Sequence, residues 1–189
     1  TGQTLSAGEY GVIASGGGIS SGGPAINVTG IGAMLVNSGT IFGSSYGINS
    51  FARYLSINNS GTISGAFDAI FISTTTTASN AFINNSGTIT GIGNASGGIF
   101  IQSGGNEIIN SGTITGNAND AIQISATFGA GTLANRIVNS GLIVGGVGYN
   151  ALLLDADADT VINSGTMIGA VDLGGNNDIF TNRNGTVNG

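Results

Sequence analysis

Few side chains in this chain can do chemistry. There are nine carboxylates and three guanidinium groups (Arg53, Arg136 and Arg183) among 189 residues, with no Lys, His or Cys. The absence of His and Cys excludes the usual nucleophile–base pairs and zinc sites. A net charge of −6 with three scattered Arg cannot neutralise a phosphate backbone, which excludes nucleic acid as a partner and disfavours an anionic membrane surface. What remains is carboxylate chemistry, and two groupings offer it.

Asp155, Asp157 and Asp159 alternate with Ala156 and Ala158, so in an extended segment all three acids face one way, ~6.5–7 Å apart. Aligning Ala151 with Ala170 sets Asn176 over Asp157 and Asp178 over Asp159. Oxygen donors of this kind suit calcium, which makes Asp157, Asp159, Asn176 and Asp178 the candidate metal ligands; the competing reading is a solvated acidic loop. The second grouping is Asp68 and Asp120, which occupy equivalent places before Ala-Ile. Two coil steps of the repeat described next separate them by ~9–10 Å, near the spacing of an inverting carboxylate pair. The competing reading is an Asp closing a turn onto backbone N–H groups. No groove of aromatics is evident beside either residue.

These acids sit inside a repeat. The phrase Val36-Asn37-Ser38-Gly39-Thr40-Ile41 returns as NNSGTISG from Asn58, NNSGTITG from Asn84, INSGTITG from Ile109, VNSGLIVG from Val138 and INSGTMIG from Ile162. Weaker copies flank these near Gly17 and Gly185. The phrase glycines step by 22, 22, 26, 25, 29, 24 and 20 residues, as expected of a rigid rung with inserted loops. The insertions are Ser73 to Ala81, Ala126 to Ala134 and Gly145 to Tyr149. A second phrase, small-aliphatic-x-apolar, lies between the first ones, as in Ala69-Ile70-Phe71-Ile72. A third apolar position precedes each phrase Asn by two, with Ile13 in that place ahead of Ser15.

Each repeat therefore carries three short segments of period-two apolarity and no helical periodicity. Three strands per ~22-residue turn make one coil of a parallel β-helix. About seven coils form a single all-β solenoid over residues 1–189, right-handed by the crossover rule. By alternation Asn37, Asn59, Asn85, Asn110, Asn139 and Asn163 point inward as a hydrogen-bonded column, and the Gly two residues on is expected at positive φ. The phrase is thus structural. Stacked Thr residues (Thr40, Thr62, Thr88, Thr113 and Thr166) also resemble the arrays of ice-binding solenoids, although outward β-branched residues favour strands in any case.

The Asn-Ser-Gly-Thr-Ile repeats, together with the stretch from Ala170-Val171-Asp172-Leu173-Gly174-Gly175 to Asn182, resemble the passenger repeats of bacterial autotransporters. That resemblance implies a non-enzymatic, adhesin-like segment of a longer protein, displayed outside a Gram-negative cell by a membrane barrel and tied to virulence. Its partners would be a protein or glycan on a host or neighbouring cell, with the insertions and coil faces as contact surfaces. Unpaired strand edges at the coil ends predict end-to-end self-association or continuation of the helix. No run of 18 apolar residues exists to span a bilayer as a helix, and neither a signal peptide nor a required cofactor is expected. The rival reading is a carbohydrate-active β-helix.

Overall fold

The computed structural model describes residues 2–74, 78–125 and 133–189. Among the described residues twenty-four short strands form three parallel sheets of eight, and the chain visits the sheets in strict rotation. One coil illustrates the rule: Asp68–Ile72 lies in the sheet we call A, Phe82–Asn85 in sheet B and Thr88–Gly91 in sheet C. The described residues contain no helix. This is the predicted three-stranded parallel β-solenoid.

The register explains why the sequence repeats. In sheet C, Ile41, Ile63, Ile89, Ile114 and Ile143 are successive partners. In sheet B the chain of partners runs Leu35, Ile57, Ile83, Ile108, Ile137, Val161. In sheet A it runs Ile26, Ile48, Ile70, Ile99, Ile122, Leu152. All are buried and together form one continuous core. Each aliphatic residue thus rests on a residue of its own size one coil away, so the core is three columns packed side by side. A one-residue slip would turn a whole column to solvent, which is why loops vary in length while the strands keep phase.

Two local expectations are corrected. The phrase glycines do not adopt positive φ. They are glycine because successive corners nearly touch: a Cβ at Gly61, Gly87, Gly112 or Gly141 would lie 2.1–2.2 Å from the carbonyl oxygen of the phrase glycine one coil before. That oxygen accepts the N–H of the following coil, as in Thr88 N–H to Gly61 at 2.8 Å, so it cannot withdraw. The second correction concerns the first coil. Ile13 pairs with Asn37 and Gly11 with Leu35, so Ile13 occupies the Asn position rather than the apolar position two residues earlier. A longer corner containing Gly16, at φ 78°, absorbs the shift.

Of the insertions, residues 75–77 and 126–132 lie outside the described residues. The flanks of the first, Ser73, Thr74, Ala78, Ser79 and Ala81, are buried, whereas Leu133 and Ala134 at the end of the second are exposed. The third forms an outward turn with Gly148 at φ 81° and Val147 fully exposed.

Candidate functional site

The corner between sheets B and C holds the Asn column. Asn37 Nδ2 donates to Asn59 Oδ1 at 2.8 Å, and the relay continues through Asn85, Asn110, Asn139 and Asn163 at 2.7–2.9 Å. It ends one coil beyond the predicted set, at Asn182. Each donor also reaches the carbonyl of its own phrase Gly and one carbonyl of the next coil; for Asn85 these are Gly87 at 3.2 Å and Thr113 at 3.1 Å. Asn does this because one amide offers a donor and an acceptor in opposite directions. The six predicted members are 0–2% exposed, so this column is closed to any ligand.

A second column fills the corner between sheets A and B, and the sequence reading did not anticipate it. Its positions lie four residues before each member of the Asn column: Ala33, Leu55, Ala81, Asn106, Asn135, Asp159 and Asp178. The first three are buried apolar residues and the next three buried polar ones. Backbone N–H groups of Ala81, Asn106, Asn135 and Asp159 each donate to the side-chain oxygen one coil on, at 3.1, 3.1, 2.6 and 2.8 Å. Asn106 Nδ2 adds a bond to Asn135 Oδ1 at 2.9 Å, and Asn135 Nδ2 one to Asp159 Oδ1 at 3.0 Å. Ser79 Oγ closes the apolar end onto Asn106 Oδ1. The readable signal is the polar residue at this fixed offset, which appears only in the later coils.

The candidate calcium ligands lie at the far end of this second column. Asp159 and Asp178 meet as the alignment placed them. Asn176 is exposed with φ 75°, on a turn where Gly175 N–H donates to Asp155 O at 3.3 Å. Asp157 and Asp159 are 5% and 1% exposed, and the Oδ2 of each is buried without a hydrogen-bond partner. Burial is the main force raising both carboxyls above the usual range. For Asp157 the charge of Asp155 adds to it. Asp159 is pushed up to about 6: burial outweighs the Asn135 donors that favour the anion, and Asp155 and Asp178 add repulsion. Oxygen is the right donor class for calcium, yet among the described residues no three acidic side chains converge in a metal-holding geometry.

Asp68 and Asp120 are each buried, and each bonds to the backbone of the following coil rather than closing its own turn. Asp68 Oδ1 accepts Gly97 N–H at 3.0 Å, and Asp120 Oδ1 accepts Asn150 N–H at 2.8 Å. Burial pushes Asp68 up to about 6, against the Gly97 N–H. The expectation of no aromatic surroundings fails for Asp68. Tyr46, whose hydroxyl is raised by burial and by the Asp68 charge, stacks on Phe71 at 4.9 Å and 21°. Phe71 leads to Phe100 at 5.6 Å, and Phe67 meets the edge of Tyr46 at 5.8 Å. Phe71 and Phe100 are far apart in sequence and meet because sheet A sets them in register.

The Thr residues do stack on sheet C, from Thr40 through Thr62 and Thr88 to Thr113. Leu142 and then Thr166 follow. On two of these coils a second Thr lies two residues on, Thr90 after Thr88 and Thr115 after Thr113, and the Thr115 hydroxyl donates to Thr90 Oγ1 at 2.7 Å. Compared with family models, with curated proteins and with solved structures, the chain matches none.

Proposed function

We propose that this chain is a non-enzymatic, extracellular β-solenoid segment of a longer bacterial surface or secreted protein, whose task is to hold adhesive surfaces away from the cell. The observation that carries this reading is the repeat itself. The Asn relay and the aliphatic columns devote the interior of every coil to coil-to-coil contact, leaving outward side chains and loops as the parts free to vary. The buried Asp68 and Asp120 each accept a backbone N–H of the following coil, which favours this reading over a carbohydrate-active β-helix. The passenger resemblance of the sequence agrees with it, and a host or neighbouring-cell protein or glycan is the partner class.

Self-association follows from the ends. At the first coil Leu5 and Ile19 are only half-buried beside an open hollow of about 500 Å³, apolar surface that a further coil or a second molecule would cover. Antibodies raised against the folded segment should label intact cells that produce the protein. Labelling only after permeabilisation would overturn the display reading. A concentration series in sedimentation tests end-to-end contact: a sedimentation coefficient that rises with concentration is expected, and a constant monomer value sinks the idea.

A further inference from the structure

The outward face of sheet A carries one row of residues in register. From coil to coil it reads Thr4, Asn27, Asn49, Phe71, Phe100, Gln123, Leu153, Asp172. Two rings in the middle are thus bracketed by amides. Tyr46 and Phe67, from the corner between sheets C and A, extend the aromatic patch sideways. Phe67 is 56% exposed. An outward sheet face needs no aromatics for stability when Asn and Gln occupy the same row, so the rings call for another explanation.

We propose that this row is a binding platform for a neutral glycan, which rests on Phe71, Phe100 and Tyr46 and is oriented by Asn27, Asn49 and Gln123. The proposal rests on the adhesive reading above and gives its partner a place. The negative faces of aromatic rings attract the polarised C–H groups of a pyranose, while amides supply both donors and acceptors for its hydroxyls. A mostly apolar surface with a few placed polar groups is the usual composition of a small-ligand site. From Asn27 to Gln123 the row carries no charge, which selects against an anionic or cationic ligand there. The row also advances in steps of ~4.8 Å, so a linear chain of sugars lying along the solenoid axis meets a ring or an amide at every step.

A second, independent observation lies at the same place. Ser45 Oγ and Asn49 Oδ1 are buried without hydrogen-bond partners, and they flank the Tyr46–Phe71 stack in sequence and register. Asn49 is 9% exposed although it points away from the core; its Nδ2 reaches only Asn27 Oδ1, at a long 3.3 Å. Buried polar atoms left unpaired are destabilising. A sugar hydroxyl entering beside Tyr46 would supply the missing donor to Asn49 Oδ1.

The test uses the purified 189-residue chain and titration calorimetry with cellohexaose, maltohexaose and chitohexaose. At least one should bind, and Phe71→Ala or Phe100→Ala should weaken it about tenfold or more, while Tyr149→Ala, an exposed ring outside the row, leaves it unchanged. Should an alanine variant fail to fold by circular dichroism, Phe71→Leu keeps the apolar volume and removes only the ring. Failure of all three sugars to bind, or binding indifferent to these rings, overturns the proposal. So does binding of an apolar peptide in their place, which would make the patch a protein-docking face. Because the assay needs no cells, its failure is separate from that of surface display.

Discussion

The two corner columns solve the same problem with different residues. At the corner between sheets B and C, every coil from the second to the eighth uses Asn, and Asn37, Asn59, Asn85, Asn110, Asn139 and Asn163 each donate to the next amide in the same way. At the corner between sheets A and B, Ala33, Leu55 and Ala81 give way to Asn106, Asn135, Asp159 and Asp178. The difference lies in the backbone. Where the chain turns tightly enough that successive phrase glycines leave no room for a Cβ, the corner carbonyls need an internal donor and only Asn fits. The other corner has loops of variable length, so apolar filling and polar relay are both admissible. Uniformity marks the corner that builds the solenoid, and variation marks the one that can be altered.

The strongest way to break the uniform column is at its middle. Asn85→Ala strands Asn110 Oδ1 in a dry interior and removes the bonds to Gly87 and Thr113, while Asn59 Nδ2 loses its amide acceptor and keeps the carbonyls of Gly61 and Thr88. With the stranded oxygen costing ~1–3 kcal/mol and the lost carbonyl bonds adding to it, the loss should be about 3 kcal/mol. Gly87→Ala should cost about 3 kcal/mol or more through overpacking, since its Cβ would sit 2.1 Å from Gly61 O. Gly148→Ala is the contrast: nothing lies within 4 Å of its Cβ, leaving only the ~1–2 kcal/mol of left-handed backbone strain. Urea unfolding midpoints check all three. Equal midpoints for Gly87→Ala and Gly148→Ala would refute the close-approach account.

Legibility in the sequence follows the same division. The three strands per coil, the aliphatic columns and the Asn relay were readable because identical residues recur at one offset, and stacked coils require that recurrence. The cause assigned to the phrase glycines was wrong, because proximity between coils leaves the same mark on a sequence as positive φ. The second column was missed because Ala81 and Asn106 share a position but not a chemistry. The row of Phe71 and Phe100 escaped notice for a related reason: a strand phrase written as Ala-Ile-x-Ile or Gly-Ile-x-Ile draws attention to its inward residues, and the aromatics occupy the outward x.

The variable column yields a pH effect of known sign. Asp159 and Asp68 are both held near about 6 in the folded chain, against ~3.9 for an unperturbed Asp. Between pH ~4 and ~6 the folded state therefore binds more protons than the unfolded one, so stability falls as pH rises through that window and levels off above it. The full shift corresponds to about 2–3 kcal/mol for Asp159. Asp159→Asn keeps the acceptor for Asn135 while removing the buried charge, and extends the amide relay by one coil. It should be stabilising at pH 8 by about 2 kcal/mol and neutral at pH 4. Thermal melts at the two values decide it. Run with and without calcium, they also sharpen the site: if Asp159 Oδ2 is a cation ligand, the native chain alone gains a higher midpoint from the metal and Asp159→Asn forfeits it.

The smallest expected effect concerns the outer edge of the same corner. Arg136 and Glu107 are partners across adjacent strands of sheet B and form an ion pair of 2.7 Å, one residue beyond the buried Asn135 and Asn106. Their side chains are 47% and 41% exposed. Solvent screening and the entropy of fixing two long side chains leave such a pair worth ~0–1 kcal/mol. Arg136→Ala should therefore shift the urea midpoint by about 0.5 kcal/mol or less, and 0.5 M salt should erase the shift. Asn135→Ala, its neighbour in sequence, should cost about 2 kcal/mol by leaving the buried Asn106 N–H unpaired and Asn106 Nδ2 with Ser103 O alone, with no dependence on salt. A large, salt-sensitive loss at Arg136 would mean that charge outside the corner, rather than the amide relay within it, holds these coils together.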